Sequence, residues 1–489
     1  MKKTLLILVL AYCLLPIAYG QDVQRFAERG VMGTARYIGM GGAMTAIGGD
    51  PSAAMDNPAG LGLYRRSEVL ITLDETIDRT QQQDSRDVYQ CSRFALPQVS
   101  AIWASGYPQK QKGLIYNNLL ISLNRLYNYR RVVNVKGDAM GMLPSICDKT
   151  NTNRLTQADI LQEDIWNIED IGWLSVLGYD AGLLVPDGQD QWTPSTSFSQ
   201  GELTVSEKGS QEQLTLSWAG NINNQWYIGA SVNIPTISYS KEVALYEYNS
   251  ANHSAELISQ FYANGWGISA SVGMIARPTQ WLRIGASLQT PTVLTLDIQT
   301  CGDIYSQLAL NQRYEQTTPL CEQNGNHFAS PLRSSIGIAG QWKNIGLLSL
   351  QYDYAHALRD KETNSSPMLD IHTLKAGLEA QVYRHMYLNA GYVYESSFTK
   401  DDPIVVLPNN SVRTDMDYRY PQSTQYASAG LSYRNDRLII SLAYQYGWQS
   451  IHQYATDYQI APALIHTKTH RIACSIAWRI DRETRPAEE

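Results

Sequence analysis

Trp226-Tyr-Ile-Gly-Ala-Ser-Val-Asn-Ile234 alternates along its length. Trp226, Ile228, Ala230, Val232 and Ile234 fall on one side of an extended chain, and Tyr227, Gly229, Ser231 and Asn233 on the other. Side chains of a strand point to opposite faces in turn, so this segment reads as a strand with one apolar and one small or polar face. Leu282, Ile284, Ala286 and Leu288 oppose Arg283, Gly285, Ser287 and Gln289 in the same way. Leu374, Ala376, Leu378, Ala380 and Val382 oppose Thr373, Lys375, Gly377, Glu379 and Gln381, and Ile472, Cys474, Ile476, Trp478 and Ile480 oppose Arg471, Ala473, Ser475, Ala477 and Arg479. Such segments run about nine to eleven residues, the length that crosses a bilayer at a tilt of about 45°. Trp or Tyr recurs near their ends, as the girdles of a membrane barrel require. The rival is a secreted β-sandwich, in which the polar faces would look at bulk water.

The N-terminus reads as a secretory leader. Lys2 and Lys3 form a positive start, Thr4 to Leu15 an apolar stretch, and Ala18-Tyr19-Gly20 a small-x-small cleavage site before Gln21. Bulky Tyr12 before Cys13 argues against a lipoprotein anchor. Beyond the leader no run of eighteen apolar residues is present, so a transmembrane helix is not expected. A mean hydropathy of −0.29 suits a membrane protein only if half of each strand faces lipid. The aromatic balance, 31 Tyr and 11 Trp against 6 Phe, favours side chains with a polar edge at a hydrocarbon–water boundary.

Connections alternate in length. Arg277–Trp281, Trp342–Ile345, Tyr383–His385 and Arg434–Arg437 read as tight turns. Residues 134–213, 242–264, 299–327 and 396–425 read as long polar loops, with a short amphipathic helix or two within 157–177. Short turns on one side and long loops on the other describe an outer-membrane barrel with its long loops outside, here of about twelve to sixteen strands. A barrel of that size encloses more space than its inward side chains fill, so it needs a plug or is an open pore.

Net charge is −7 and pI near 5.7, with no basic run, so nucleic acid is not an expected partner. Cys91, Cys147, Cys301, Cys321 and Cys474 remain after the leader, an odd set without framework spacing. Cys301 and Cys321 bracket a polar stretch that a disulfide would close in an oxidising compartment. Gly39-Met-Gly-Gly-Ala43 is glycine-rich but lacks the Gly-Lys-Ser/Thr of a phosphate loop. His466 and His470 share a strand face without further ligands beside them. Asp353, His356, Ser334 and Ser335 show no nucleophile–base–orienter spacing. No enzyme, cofactor or metal is expected.

The remaining signal is Gly33-Thr-Ala-Arg36, Gly39-Met-Gly-Gly-Ala43, Gly48-Gly-Asp50 and Asn57-Pro-Ala-Gly-Leu-Gly-Leu63. This run resembles the N-terminal hatch of the FadL/TodX-type outer-membrane transport family. Trp281-Leu-Arg-Ile-Gly-Ala-Ser287 with Thr290-Pro-Thr292, Gly346-Leu-Leu-Ser-Leu-Gln-Tyr-Asp-Tyr354, His372-Thr-Leu-Lys-Ala-Gly-Leu-Glu379 and Tyr387-Leu-Asn-Ala-Gly-Tyr392 are similar to its barrel strands. The resemblance implies an all-β, transmembrane antiparallel barrel of fourteen strands with the hatch inside the lumen. It also implies passive uptake of a hydrophobic small molecule such as a fatty acid or hydrocarbon, which reaches an interior apolar site and leaves sideways when the hatch shifts. The organisation expected is a leader over 1–20, a hatch over 21–64, a barrel over 65–480 and a polar tail over 481–489. Gly39, Met40, Gly41, Gly42, Asn57, Pro58, Ala59 and Gly60 are the candidate gating residues of the hatch.

Glycine permits the sharp turns and close backbone approach that a plug needs. Pro58 biases Asn57 away from the helical region, and the Asn57 amide can both donate and accept, so it suits an anchor to the lumen wall. Pro235 and Pro291 mark expected wall defects, since proline removes a ladder hydrogen bond. Outer-membrane lipid and the barrel-assembly machinery are the other expected partners, in the outer membrane of a Gram-negative bacterium. Such barrels commonly end on an aromatic residue, whereas Arg479, Ile480 and a polar tail follow Trp478 here. The alternative function is that of a PorV-like shuttle that receives secreted proteins.

Overall fold

A computed structural model describes residues 21–480 apart from 107–111, 189–190, 310–311, 343–344, 358–367 and 400–406. The expected leader and polar tail lie outside the described residues. Twenty strands follow the N-terminal segment: β1 Ser67–Gln82, β2 Val88–Gly106, β3 Leu114–Asn128, β4 Arg131–Asp138, β5 Leu184–Pro186, β6 Trp192–Pro194, β7 Gln200–Ile222, β8 Trp226–Tyr248, β9 Ser254–Ala276 and β10 Leu282–Gln289. They continue as β11 Val293–Ala309, β12 Gln312–Thr317, β13 Cys321–Ala329, β14 Leu332–Trp342, β15 Gly346–His356, β16 Ile371–Tyr383, β17 Met386–Glu395, β18 Tyr418–Arg434, β19 Leu438–Tyr454 and β20 Ala463–Ile480. Each neighbouring pair is antiparallel, and β20 returns to β1 from Ser67↔Ile480 to Gln82↔Ile465, which closes the sheet. The result is a closed fourteen-stranded barrel, in which β4 continues β3 upward and β11–β13 extend β10 and β14.

Closure of β1 on β20 removes the sheet's terminal edges, so ladder bonds satisfy the backbone within hydrocarbon except at local breaks. Outward side chains near the short-turn end are exposed and apolar, among them Val69, Ile71, Leu119, Ile121, Ile336, Ile338, Leu348, Leu350, Ile472 and Ile476. Trp103, Trp218, Trp226, Trp281, Trp342 and Trp478 are also exposed towards this end. An exposed apolar band on a closed barrel is a lipid-facing surface, the architecture of a Gram-negative outer-membrane protein. No described helix is long and apolar enough to cross a membrane.

The long connections are shorter than expected. Residues 242–264 are mostly the upper parts of β8 and β9, and 299–327 are largely β11, β12 and β13. The reason lies in a change of phase. Along β8 the apolar positions are outward at Trp226, Ile228 and Val232, but inward and buried at Ile237, Tyr239, Val243 and Leu245, with the switch at Pro235. Below the switch the strand faces lipid outside; above it, water lies outside and a packed core inside. A segment whose alternation inverts reads as a loop when only one phase is followed.

That core roofs the barrel. Helices of residues Met142–Thr152 and Trp173–Asp180 pack Met142, Leu143, Ile146, Leu174 and Leu177 against Leu203 and Val205 of β7, Val243 and Leu245 of β8 and Leu257 of β9. Cys147 lies in it and its Sγ donates to Trp192 O at 2.9 Å; burial pushes this thiol up. Cys301 and Cys321 are both free thiols. Cys321 pairs with Thr300, and alternation then turns Cys301 to the other face, so the expected loop closure does not form.

Pro235 and Pro291 do sit at ladder breaks. β8–β9 pairing skips from Asn233↔Ser269 to Thr236↔Trp266, and β10 and β11 are separated at 290–292, opposite Ser330 and Pro331. A longer break was not anticipated. β2 pairs with β3 only from Gln98 to Gly106, although it stays on β1 up to Val88. Pro97, at the bulge against β1, marks where this seam begins.

Candidate functional site

The lumen is occupied by the N-terminal segment, whose residues are buried almost throughout. It folds as helix α1 Gln21–Ala27, helix α2 Ala35–Gly39, helix α3 Ala53–Asp56 and a 3₁₀ turn at Pro58–Leu63. Local chemistry sets these pieces. Thr34 caps α2 by accepting from Tyr37 N, and its hydroxyl donates to Asp50 at 2.8 Å. Asn57 is extended (φ −144°, ψ 104°), as a residue before proline should be, and Pro58 opens the 3₁₀ turn where its missing N–H costs nothing.

Asn57 is fully buried and uses its whole amide. Nδ2 donates to Thr45 O at 2.8 Å within the segment and to Met274 O of β9 at 3.2 Å, while Oδ1 accepts from Ala59 N at 3.0 Å. Gly41 and Gly42 take φ of +61° and +68°, which only glycine adopts without strain. Gly39 approaches β17 and β18, where a Cβ would stand 3.3 Å from Asn389 Cβ. Met40 and Ala59 are fully buried, and Gly60 O accepts from Gly49 N at 3.0 Å.

The wall answers with glycines of its own, a feature the sequence reading passed over. Gly229 pairs with Gly273, Gly285 with Gly337 and Gly377 with Gly391, three cross-strand glycine pairs at one level near the short-turn end. A Cβ on Gly229 would lie 2.5 Å from Pro58 C, one on Gly377 2.6 Å from Met40 O, and those on Gly273, Gly285 and Gly391 would overlap Asn57 Oδ1, Thr45 O and Gly41 N. Backbone therefore packs on backbone. The signal was present as inward-facing glycine in Tyr227-Ile-Gly-Ala-Ser, Arg283-Ile-Gly-Ala-Ser and Ala390-Gly-Tyr, once strands are aligned by their turns.

Polar wall side chains fix the rest. Ala35 N donates to Ser475 Oγ at 2.7 Å, Thr45 N to Gln351 Oε1 at 2.9 Å and Arg283 Nη1 to Ile47 O at 3.0 Å. Asn118 Nδ2 donates to Leu61 O at 2.8 Å. Lys375 and Glu379 do face inward: Lys375 Nζ is 2.8 Å from Asp353, and Glu379 accepts from Arg36 Nε at 2.8 Å. Below the segment a cavity of about 370 Å³ is lined by charged groups, including Arg36, Asp50, Glu68 and Arg479.

Above the glycine level, α1 carries Phe26 into an upper chamber of the lumen that apolar side chains fill. Phe26 meets Tyr129, Tyr239 and Phe328 edge-on at 6.2, 5.7 and 5.9 Å. Ile237 and Tyr239 of β8, Phe261 and Ala263 of β9, and Leu294, Leu296 and Ile298 of β11 complete the cluster. These residues stand directly above Pro235 and Pro291 along their strands. Around the chamber α1 is held by ion pairs. Arg25 Nη2 reaches Glu207 at 2.6 Å, Glu28 pairs with Arg419, and Asp22 pairs with Arg413, from the segment before β18. His466 and His470 face outward against Ser450 and Tyr444, and no group of three potential metal ligands occurs among the described residues.

No protein-family profile matches the chain, and no curated protein matches its sequence. Solved structures do. The toluene transporter TodX of Pseudomonas putida superposes with a TM-score of 0.52 at 13% identity, covering 93% of this chain and 99% of that one. A Pseudomonas aeruginosa FadL homologue gives 0.50 at 12% identity, over 92% and 99%. A TodX deltaS2S3 mutant, a monoaromatic hydrocarbon channel, gives 0.51 at 14%, over 92% and 100%. At such identities the likeness is one of fold: over nearly its whole described length the chain has the fold of the FadL/TodX-type outer-membrane transport proteins.

Proposed function

We propose that this protein is a passive outer-membrane channel for small hydrophobic molecules, with residues 21–64 as its gating hatch. The observation that supports this most is the Phe26 cluster, a buried apolar and aromatic set in the upper lumen with Phe26 wedged at its centre. Each CH₂ taken from water into such a chamber gains about 0.8 kcal/mol, so a fatty acid, an aromatic hydrocarbon or a similar lipid can displace Phe26. Displacement of Phe26 loosens α1. Lateral release then runs through the ladder breaks at Pro235 and Pro291, immediately below the chamber, into the lipid. Gly39, Met40, Gly41, Gly42, Asn57, Pro58, Ala59 and Gly60 hold the hatch closed in the meantime. No energy source takes part.

The test uses the full chain purified in mild detergent. Mass spectrometry should find a hydrophobe bound within it, and Phe26→Ala, which enlarges the chamber, should raise the amount bound. A chamber empty in both forms, together with no hydrophobe flux in proteoliposomes, would overturn the reading. A protein shuttle is the second reading, with docking at the face of the long connections. A secreted protein held stably at that face, with the chamber empty, would carry it.

A further inference from the structure

A separate cavity of about 90 Å³ lies in the upper lumen among α1, β1–β4 and β18–β20, and its charge is one-sided. Six guanidinium groups line it, from Arg25, Arg93, Arg130, Arg131, Arg419 and Arg471, against the single carboxylate of Asp78. Asp78 is engaged by the Thr469 hydroxyl at 2.5 Å. The nearby acids Glu28, Glu207 and Asp74 do not line the cavity. Glu207 is spent on Arg25 Nη2 at 2.6 Å, Arg131 Nε at 2.8 Å and the Tyr239 hydroxyl at 2.7 Å. Glu28 is spent on Arg25 and Arg419, and Asp74 stands 3.5 Å from Arg471.

Donors are left over. Nη1 and Nη2 of Arg131, Nε and Nη1 of Arg93, and Nε of Arg25 and of Arg419 are buried and meet no acceptor among the described residues. Arg131 and Arg25 are only 7% and 8% exposed, so bulk water does not serve them freely. A buried charged donor without an acceptor is costly, and guanidinium forks from different strands suit an anion with several oxygens. Size narrows the ligand further. A space of 90 Å³ admits a four-oxygen anion but is far below the roughly 300 Å³ at which pockets for larger organic ligands begin. Access is at hand, since Arg93 and Asn128 flank the seam where β2 is unpaired from β3.

We infer that this cavity binds a compact oxyanion of the phosphate or sulfate type, held by Arg93, Arg131 and Arg419 and tied to the N-terminal helix through Arg25. The site adjoins the Phe26 cluster through Tyr129, and its anion binding is measured without any hydrophobe present. The anion comes either from solution or as the phosphate of a lipid headgroup that reaches in through the seam.

The full chain is purified without phosphate and titrated with inorganic phosphate at constant ionic strength, with ³¹P resonance and calorimetry as readouts. Arg93→Gln is the chosen variant because Nε and Nη1 of Arg93 meet no acceptor among the described residues, so its removal costs only the attraction of Asp74 and Asp78. Heat-modifiable migration on a gel verifies that it folds. One phosphate should bind per chain, and Arg93→Gln should weaken it by about tenfold or more. Lys208→Gln, which removes an exposed charge of β7 away from the cavity, should leave binding unchanged. Phosphorus that co-purifies and extracts with acyl chains identifies the headgroup source, and water-soluble phosphate identifies the free anion. A folded wild-type barrel that neither carries phosphorus nor binds phosphate or sulfate at millimolar concentration overturns the inference, as does equal binding by Arg93→Gln.

Discussion

The lower and upper halves of the lumen hold the same N-terminal segment with different weight on backbone and side chains. Below, backbone lies on backbone: Gly41 on Gly391, Pro58 on Gly229, Met40 on Gly377. Above, α1 is held at arm's length by long side chains, Arg25 to Glu207, Arg419 to Glu28 and Arg413 to Asp22, around the single aromatic wedge of Phe26. Close packing of backbones has no alternative arrangement nearby, because a shift of a few tenths of an ångström already costs contacts. Long charged side chains can exchange partners. On the proposed gating, motion of the segment would start at α1, with the glycine level as its seat.

The largest effect is expected from deleting residues 21–64. The wall glycines have no side chains to close the gap, so the barrel should fold and conduct as an open pore in planar bilayers. A truncated chain that never reaches the heat-modifiable folded form would mean that the segment is a folding element instead. Next comes Gly391→Ala. Its Cβ would meet the backbone nitrogen of Gly41, where nothing flexible can yield, so overpacking should cost about 1–3 kcal/mol and unseat the segment. The readout is entry of a large antibiotic into cells at equal surface abundance.

Asn57→Ala should act at the seat with less violence. It strips Thr45 O and Met274 O of a donor and Ala59 N of an acceptor, a loss of about 1–3 kcal/mol. The barrel should stay intact and hydrophobe uptake should slow; unchanged uptake at equal abundance would remove Asn57 from the gate. The last test is read at the top. Arg413→Gln frees Asp22 and takes one of two cations from Asp415, which Lys241 keeps at 2.5 Å; these groups are mostly buried, so the loss is about 3 kcal/mol. Hydrogen exchange should quicken over residues 22–28 and stay slow over 39–60. Quickening at both levels would show that the two halves move as one.

Several of these features were legible in the chain itself. The alternation at Trp226–Ile234 is a local property, and it sufficed for the lipid-facing parts of the strands. The same method failed just beyond Pro235, because the apolar positions moved from even to odd numbers while the strand continued to Tyr248. Pro97 carries the same local mark as Pro235 and Pro291, but how far β2 runs without β3 depends on the partner strand and leaves no mark in β2 itself. Glycines at 229, 273, 285, 337, 377 and 391 were each visible, but only the barrel's register aligns them as a seat.

What the amino-acid sequence determined alone is the material of each strand, since which face of an extended chain is apolar follows from period two and nothing else. The tertiary structure decided what stands inside. Arg25 meets Glu207 across 182 residues and Ala35 meets Ser475 across 440. Such contacts exist only once the β1–β20 ladder has closed in one register, because a slip of one residue would turn every inward side chain to the lipid.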